Sequence, residues 1–198
     1  ETPRFTDPAT PEVHELSHVE PATAKATPEL TFHAAPRPLA ADARVEDWPG
    51  FLGPRRDSKS IESPLALDFA SNGPTLVWEL ERGLGYAGPA IANGRLVFTH
   101  RVENRVHIDC LDPETGQRYW RHTYPCDYSG RYIENGGPRS TPSIIEDRAY
   151  VHGVDGRLFC FELATGRTVW ERDTTAEFEV GHDFFGVVSS PLIAGDLL

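Results

Sequence analysis

The 198-residue chain contains no methionine, and its first residue is Glu1. The natural start, and any signal peptide it carried, is therefore expected to be missing. Cysteine is scarce. Cys110, Cys126 and Cys160 match no metal-ligand spacing. Cys110 and Cys160 fall at equivalent places in two similar units, too far apart for a bridge that needs Cα atoms within ~7 Å. All three read as buried small apolar residues, and the redox compartment stays undecided. No run reaches the ~18 apolar residues that would span a membrane. Basic residues are few: 19 Lys and Arg against 30 Asp and Glu, a net charge of −11. That deficit disfavours nucleic acid and anionic membranes as partners. No His-x-x-x-His pair, EF-hand loop, Ser-His-Asp set or Cys-His set can be placed, so no catalytic and no metal-binding residue is assigned. After residue 47 no convincing helix is written.

What is present divides in two. Residues 1–44 are rich in Pro, Ala, Thr and Glu, with sparse large apolar residues and no period. They read as a disordered tail or linker, with His14, His18 and His33 as solvated side chains. From Asp47 the composition changes, and residues 45–198 read as a single folded region. "PAIA", "RLVFTH", "NRVHIDCL" and "QRYWRHTY" are four strands. Asn93-Gly94 is a hairpin turn, and "DPETG" is a turn with Pro113 setting φ. "TPSII", "RAYVHG", "RLFCFEL" and "RTVWERD" repeat the order. A third unit begins at "SSPLIAGDLL". It stops in an apolar run after a turn signal, where a strand is expected to continue, so the chain reads as a fragment.

The repeat has a length. Cys110 to Cys160, Gly116 to Gly166 and Trp120 to Trp170 are each 50 residues apart. The proline opening each first strand recurs at Pro89, Pro142 and Pro191. A period near ~40–50 with four strands per unit signals a β-propeller, each unit one blade. The expected fold class is therefore all-β, with four-stranded antiparallel blades, about two of them complete. "GLGYAG" (83–88) matches Gly-x-Gly-x-x-Gly, but no helix follows to hold a pyrophosphate. It reads as a flexible loop opening a blade. His100, His107, His122 and His152 fall in strands and read as partly exposed strand residues.

"LDPETGQRYW" fits the blade signature of quinoprotein-type propellers, (Leu/Ala)-Asp-x-x-Thr-Gly-x-x-x-Trp. "FELATGRTVW" fits at Thr165, Gly166 and Trp170, with Glu162 one place before the expected Asp. "DWPGFLGPRRDSKSIESPLAL" is similar to the Trp-x-x-x-x-Gly lead-in of that superfamily. "GPRSTPSI" and "FFGVVSSPLI" resemble its blade openings. Residues 47–198 thus resemble the PQQ-binding-like propeller repeat proteins, a group that includes BamB-type assembly lipoproteins. The resemblance implies seven or eight blades in a whole protein, and an absent part needed for a stable fold. It assigns Trp120, Trp170, Gly116, Gly166, Asp112, Thr115 and Thr165 to turns and seams between blades.

Function is expected where the two units differ, in the long loops 124–140 and 174–186. Arg139, Arg131, Tyr132, His182 and Asp183 are the candidate residues for a ligand or partner. Arg139 comes first, because it directly precedes an inner strand. The resemblance implies a non-catalytic scaffold for protein, peptide or small polar ligands in the periplasm or elsewhere outside the cytoplasm, tethered through the missing N-terminus. Such a protein would need no cofactor and be monomeric at full length. The alternative is a quinoprotein alcohol or sugar dehydrogenase using PQQ and Ca²⁺. That group adds a vicinal Cys-Cys pair, which this sequence does not contain.

Overall fold

In a computed structural model of the chain, residues 29–63, 73–130, 136–181, 185–195 and 197–198 are described. Residues 1–28, most of the segment read as a tail, lie outside the described residues. The fold begins earlier than composition suggests. Strand β1 (Leu30–Phe32) pairs antiparallel with β2 (Trp78–Leu80). His33, read as a solvated tail residue, puts its Nε2 2.9 Å from Glu79 Oε1.

The written repeat folds as two four-stranded antiparallel meanders. The first blade is β3 (Ala90–Ala92), β4 (Arg95–Val102), β5 (Arg105–Leu111) and β6 (Arg118–Pro125), in that spatial order. The second is β7 (Ser143–Ile145), β8 (Arg148–His152), β9 (Arg157–Glu162) and β10 (Thr168–Asp173). Of the third unit, an antiparallel bridge joins Ala194 to Leu197. A short helix, α1 (Thr174–Phe178), follows β10 and departs from the all-strand expectation after residue 47. Its cause is local. Asp173 Oδ1 accepts from the Thr175 and Ala176 amides, an N-cap that starts a turn. Glu179 in a left-handed conformation ends it.

Strand alternation gives the first blade two faces. Val97, Val106, Ile108, Cys110, Trp120 and Tyr124 belong to one buried cluster with Ala149, Val151, Phe159 and Phe161 of the second blade. Phe98, His100, His107, Asp109, Leu111 and Arg121 alternate with them on the other face. There Leu96, Phe98 and Leu111 pack with Trp78 and Leu80 of β2. The core therefore lies between sheets, as stacked blades require.

The repeated phrase builds both seams. Trp120 Nε1–H donates to the Leu163 carbonyl at 2.9 Å. Trp78 Nε1–H donates to the Pro113 carbonyl at 3.2 Å. Pro113 and Leu163 are 50 residues apart, so the two bonds are equivalent. Each indole lies on a turn glycine. A Cβ on Gly166 would approach Trp120 Cδ2 to 2.5 Å, and one on Gly116 would approach Trp78 Cδ2 to 2.8 Å. Both glycines also have φ near +70°, at 75° and 70°, which disfavours any side chain. Asp112 Oδ1 accepts from the Glu114 and Thr115 amides, closing the turn. In the second copy, the Thr165 hydroxyl donates to Glu162 Oε2 at 2.5 Å and its oxygen accepts from the Arg167 amide at 3.2 Å. Trp170 is half-buried, its ring 6.1 Å from that of Tyr150.

Candidate functional site

The loops opening successive blades are tied to one another. The Tyr86 and Ala87 amides donate to the Pro138 carbonyl at 2.8 and 3.2 Å. The Ser140 hydroxyl donates to the Ser189 carbonyl at 2.8 Å, and the Ser143 hydroxyl to that of Pro191 at 2.6 Å. The Val187 amide donates to Val154. Each bond ends on a backbone carbonyl, and the donors are backbone amides or the Ser140 and Ser143 hydroxyls, so together they set the loops in register.

That register brings Arg139 between two aromatic rings. Its Cζ lies 5.0 Å from the Tyr86 ring centroid and 5.8 Å from that of Phe185. Arg139 is half-buried, whereas Tyr86 is 61% and Phe185 50% exposed. A guanidinium beside aromatic faces is stabilised by the ring quadrupoles. Exposed aromatics beside arginine are the side chains that dominate binding at protein interfaces. Arg101 fixes the loop from below, its Nη1 donating to the Tyr128 and Gly136 carbonyls at 2.5 and 3.0 Å. Of the residues singled out in sequence, only Arg139 falls among those described. Arg131, Tyr132, His182 and Asp183 lie outside them. Tyr86 and Phe185 were not singled out, although a signal existed for Tyr86. It stands three residues before Pro89, as Arg139 stands three before Pro142.

A second polar cluster is buried inside the first blade. The Gly83 amide donates to His100 Nδ1 at 2.8 Å, leaving Nε2–H to donate to Asp109 Oδ2 at 3.0 Å. Arg121 donates to both Asp109 oxygens, at 2.7 and 2.9 Å. His100 and Asp109 are 3% and 0% exposed, so His100 is not the partly exposed residue its strand position suggests. Burial works to raise the Asp109 pKa, but the His100 and Arg121 hydrogen bonds outweigh it and hold the carboxyl below its ordinary value. The cluster resembles a catalytic dyad in atoms only. It is closed from solvent, and its bonds fasten the 83–88 loop to β4, β5 and β6.

His122 sits in the seam, its ring 5.0 Å from Phe161 and 5.3 Å from Phe159. Burial, with the nearby Arg157 charge, pushes its pKa down to about 4. Burial likewise pushes the Cys110 thiol up to about 12 and Cys160 to about 11. All three cysteines are free and buried, and thiols so shifted are poor nucleophiles. Among the described residues, no group of three or more His, Cys, Asp or Glu is placed to hold a metal. No helix among them is long and apolar enough to cross a membrane.

Four-stranded meanders stacked through a repeated tryptophan anchor define the class: PQQ-like β-propeller repeat proteins. Residues 65–198 match the family model described as outer membrane protein assembly factor BamB, and the chain belongs to that family. The 1-butanol dehydrogenase (cytochrome c) of Thauera butanivorans is 25% identical over 157 residues, covering 71% of this chain and 21% of the relative. The chain thus spans about a fifth of that relative's length. BamB from Moraxella catarrhalis is 19% identical, with 48% of this chain and 26% of that chain covered at a TM-score of 0.36. The quinohemoprotein alcohol dehydrogenase from Comamonas testosteroni is 24% identical, with 48% and 14% covered at a TM-score of 0.34.

Proposed function

We propose that the chain is part of a non-catalytic propeller scaffold that binds a protein or peptide partner on the face carrying Tyr86, Arg139 and Phe185. The observation that supports this is the half-buried guanidinium of Arg139 beside two largely exposed rings. Exposed aromatic anchors beside an arginine suit a peptide segment offering an apolar side chain. The family description, an outer membrane assembly factor, points the same way and to a location outside the cytoplasm. The acidic net charge argues against a nucleic-acid partner. The test is a photo-crosslinking side chain at Tyr86 in the whole protein, in cells. A discrete protein adduct is expected, and Arg139→Ala should abolish it without changing the melting temperature. An adduct indifferent to Arg139→Ala and Arg139→Glu, or no adduct at all, would overturn the reading.

The identity to 1-butanol dehydrogenase favours a second reading, a PQQ-dependent oxidoreductase. Among the described residues the three cysteines are free and buried, and no group of three or more His, Cys, Asp or Glu is placed to hold a metal. Reconstitution of the whole protein with PQQ and Ca²⁺ separates the readings. Quinone absorbance with dye-linked alcohol oxidation would select the enzyme.

A further inference from the structure

The innermost strands β3 and β7 each pair with a neighbour on one side only, which leaves an edge of unpaired amides and carbonyls toward the propeller axis. Such an edge accepts another strand. The lead-in segment occupies it. Trp48 and Ile91 exchange both backbone hydrogen bonds at 2.8 Å, and the Ile144 amide donates to the Pro49 carbonyl at 2.7 Å. Arg56 Nη2 donates to the Ile193 carbonyl at 3.1 Å. Ile91, Ile144 and Ile193 are the same position in three successive blades, two residues after Pro89, Pro142 and Pro191. One short segment therefore touches two inner strands and the equivalent position of the next unit.

The segment is shaped for this. Pro49 has no amide to leave unpaired, and a Cβ on Gly50 would press on Ser143 Oγ at 3.3 Å. The chain then folds back on itself. The Gly53 amide donates to Gly50, that of Arg56 to Gly53 and that of Ser58 to Leu52. Gly53 has φ +76°, and a Cβ there would come within 2.8 Å of the Trp48 ring. The Trp-x-x-x-x-Gly spacing is thus an indole laid on its own turn. Asp47 Oδ2 also accepts from the Asn93 amide at 3.2 Å, holding the segment at the hairpin of the first blade.

We propose that the axial edges of β3 and β7 form a strand-accepting site whose ligand is a short Trp-Pro-Gly segment, filled in cis by Trp48, Pro49 and Gly50 and backed by the turn that follows them. The segment clasps adjacent blades from the axis and takes the channel-side edge that a ligand would otherwise use. Any partner of the loop face then binds without reaching these edges.

Residue-resolved hydrogen exchange on the whole protein tests this. In the unaltered protein the Ile91 and Ile144 amides are expected to be protected. Gly53→Val displaces the Trp48 ring and should speed both by about tenfold or more, while the Val97 and Phe159 amides keep their rates. Gly53→Ala should give the same pattern, smaller, if the valine variant does not fold. Free-edge exchange of Ile91 and Ile144 in the unaltered protein would overturn the proposal whether or not the variants fold. So would full protection of both amides in a folded Gly53→Val protein.

Discussion

The two seams use one anchor and opposite fillings. At both, a tryptophan lies on a glycine with positive φ and donates to an equivalent carbonyl, Pro113 or Leu163. Between the two blades the space is aromatic and aliphatic, with Trp120 and His122 against Phe159 and Phe161. On the far face of the first blade the positions equivalent to Phe159 and Arg157 are Asp109 and His107, and there a buried Asp109–Arg121 ion pair lies beside the Leu96, Phe98 and Leu111 cluster. A shared anchor sets blade spacing, and the filling is then free to vary. Apolar filling is stable by burial alone. Charged filling is stable only while every partner stays in place.

The largest expected effect separates the anchors. Trp120→Ala should destabilise by about 3–5 kcal/mol in denaturant unfolding, because the ring is almost wholly buried. Trp78→Ala should cost less, about 1–3 kcal/mol, because that ring is only half-buried. Equal losses would erase the distinction between the seams.

Next comes the charged filling. Asp109→Asn keeps shape but removes the charge that faces Arg121 and His100, and should cost about 3 kcal/mol. Phe159→Leu at the equivalent apolar position should cost only about 1 kcal/mol. Thermal or denaturant unfolding of both variants ranks them, and a reversed order breaks the argument.

The pH response comes third. Unfolded, His122 titrates near its ordinary 6.5; folded, near about 4. Between these values only the unfolded chain holds the proton. Stability is therefore complete above pH ~6.5 and falls as pH drops toward ~4, by on the order of 2 kcal/mol for this residue. His122→Phe should flatten that slope without abolishing it, because burial and the Arg121 charge also push His107 down to about 4. An unchanged slope would show that the seam does not exclude the proton. The smallest effect belongs to the turn: Thr165→Ala should cost about 0.5–1 kcal/mol, visible as a small shift in midpoint.

Much of the fold was legible. The order of strands from Ala90 to Asp173 follows from alternation and turn chemistry, both local. The repeat at 50 residues exposed Gly116, Gly166 and Trp120, because equivalent seams need equivalent residues, whereas Trp78, the anchor of the other seam, lies outside the repeated phrase. Leu30–Phe32 was not legible: three residues carry no period, and their pairing with Trp78–Leu80 spans a long loop. The site was legible only at Arg139. Its aromatic neighbours come from loops about 50 residues away on either side, and no local pattern joins them.

By itself the sequence determined the period, the turns and the order of the strands, because these depend on residues a few places apart or on direct repetition. Tertiary structure decided the rest. It set Asp109 against Arg121 and His100, laid Tyr86 and Phe185 beside Arg139, and carried Trp48 and Pro49 to the inner strands of two blades. Those contacts depend on how sheets stack, and stacking is fixed by the tryptophan anchors and by hydrogen bonds between loops some 50 residues apart, which no short stretch of sequence contains.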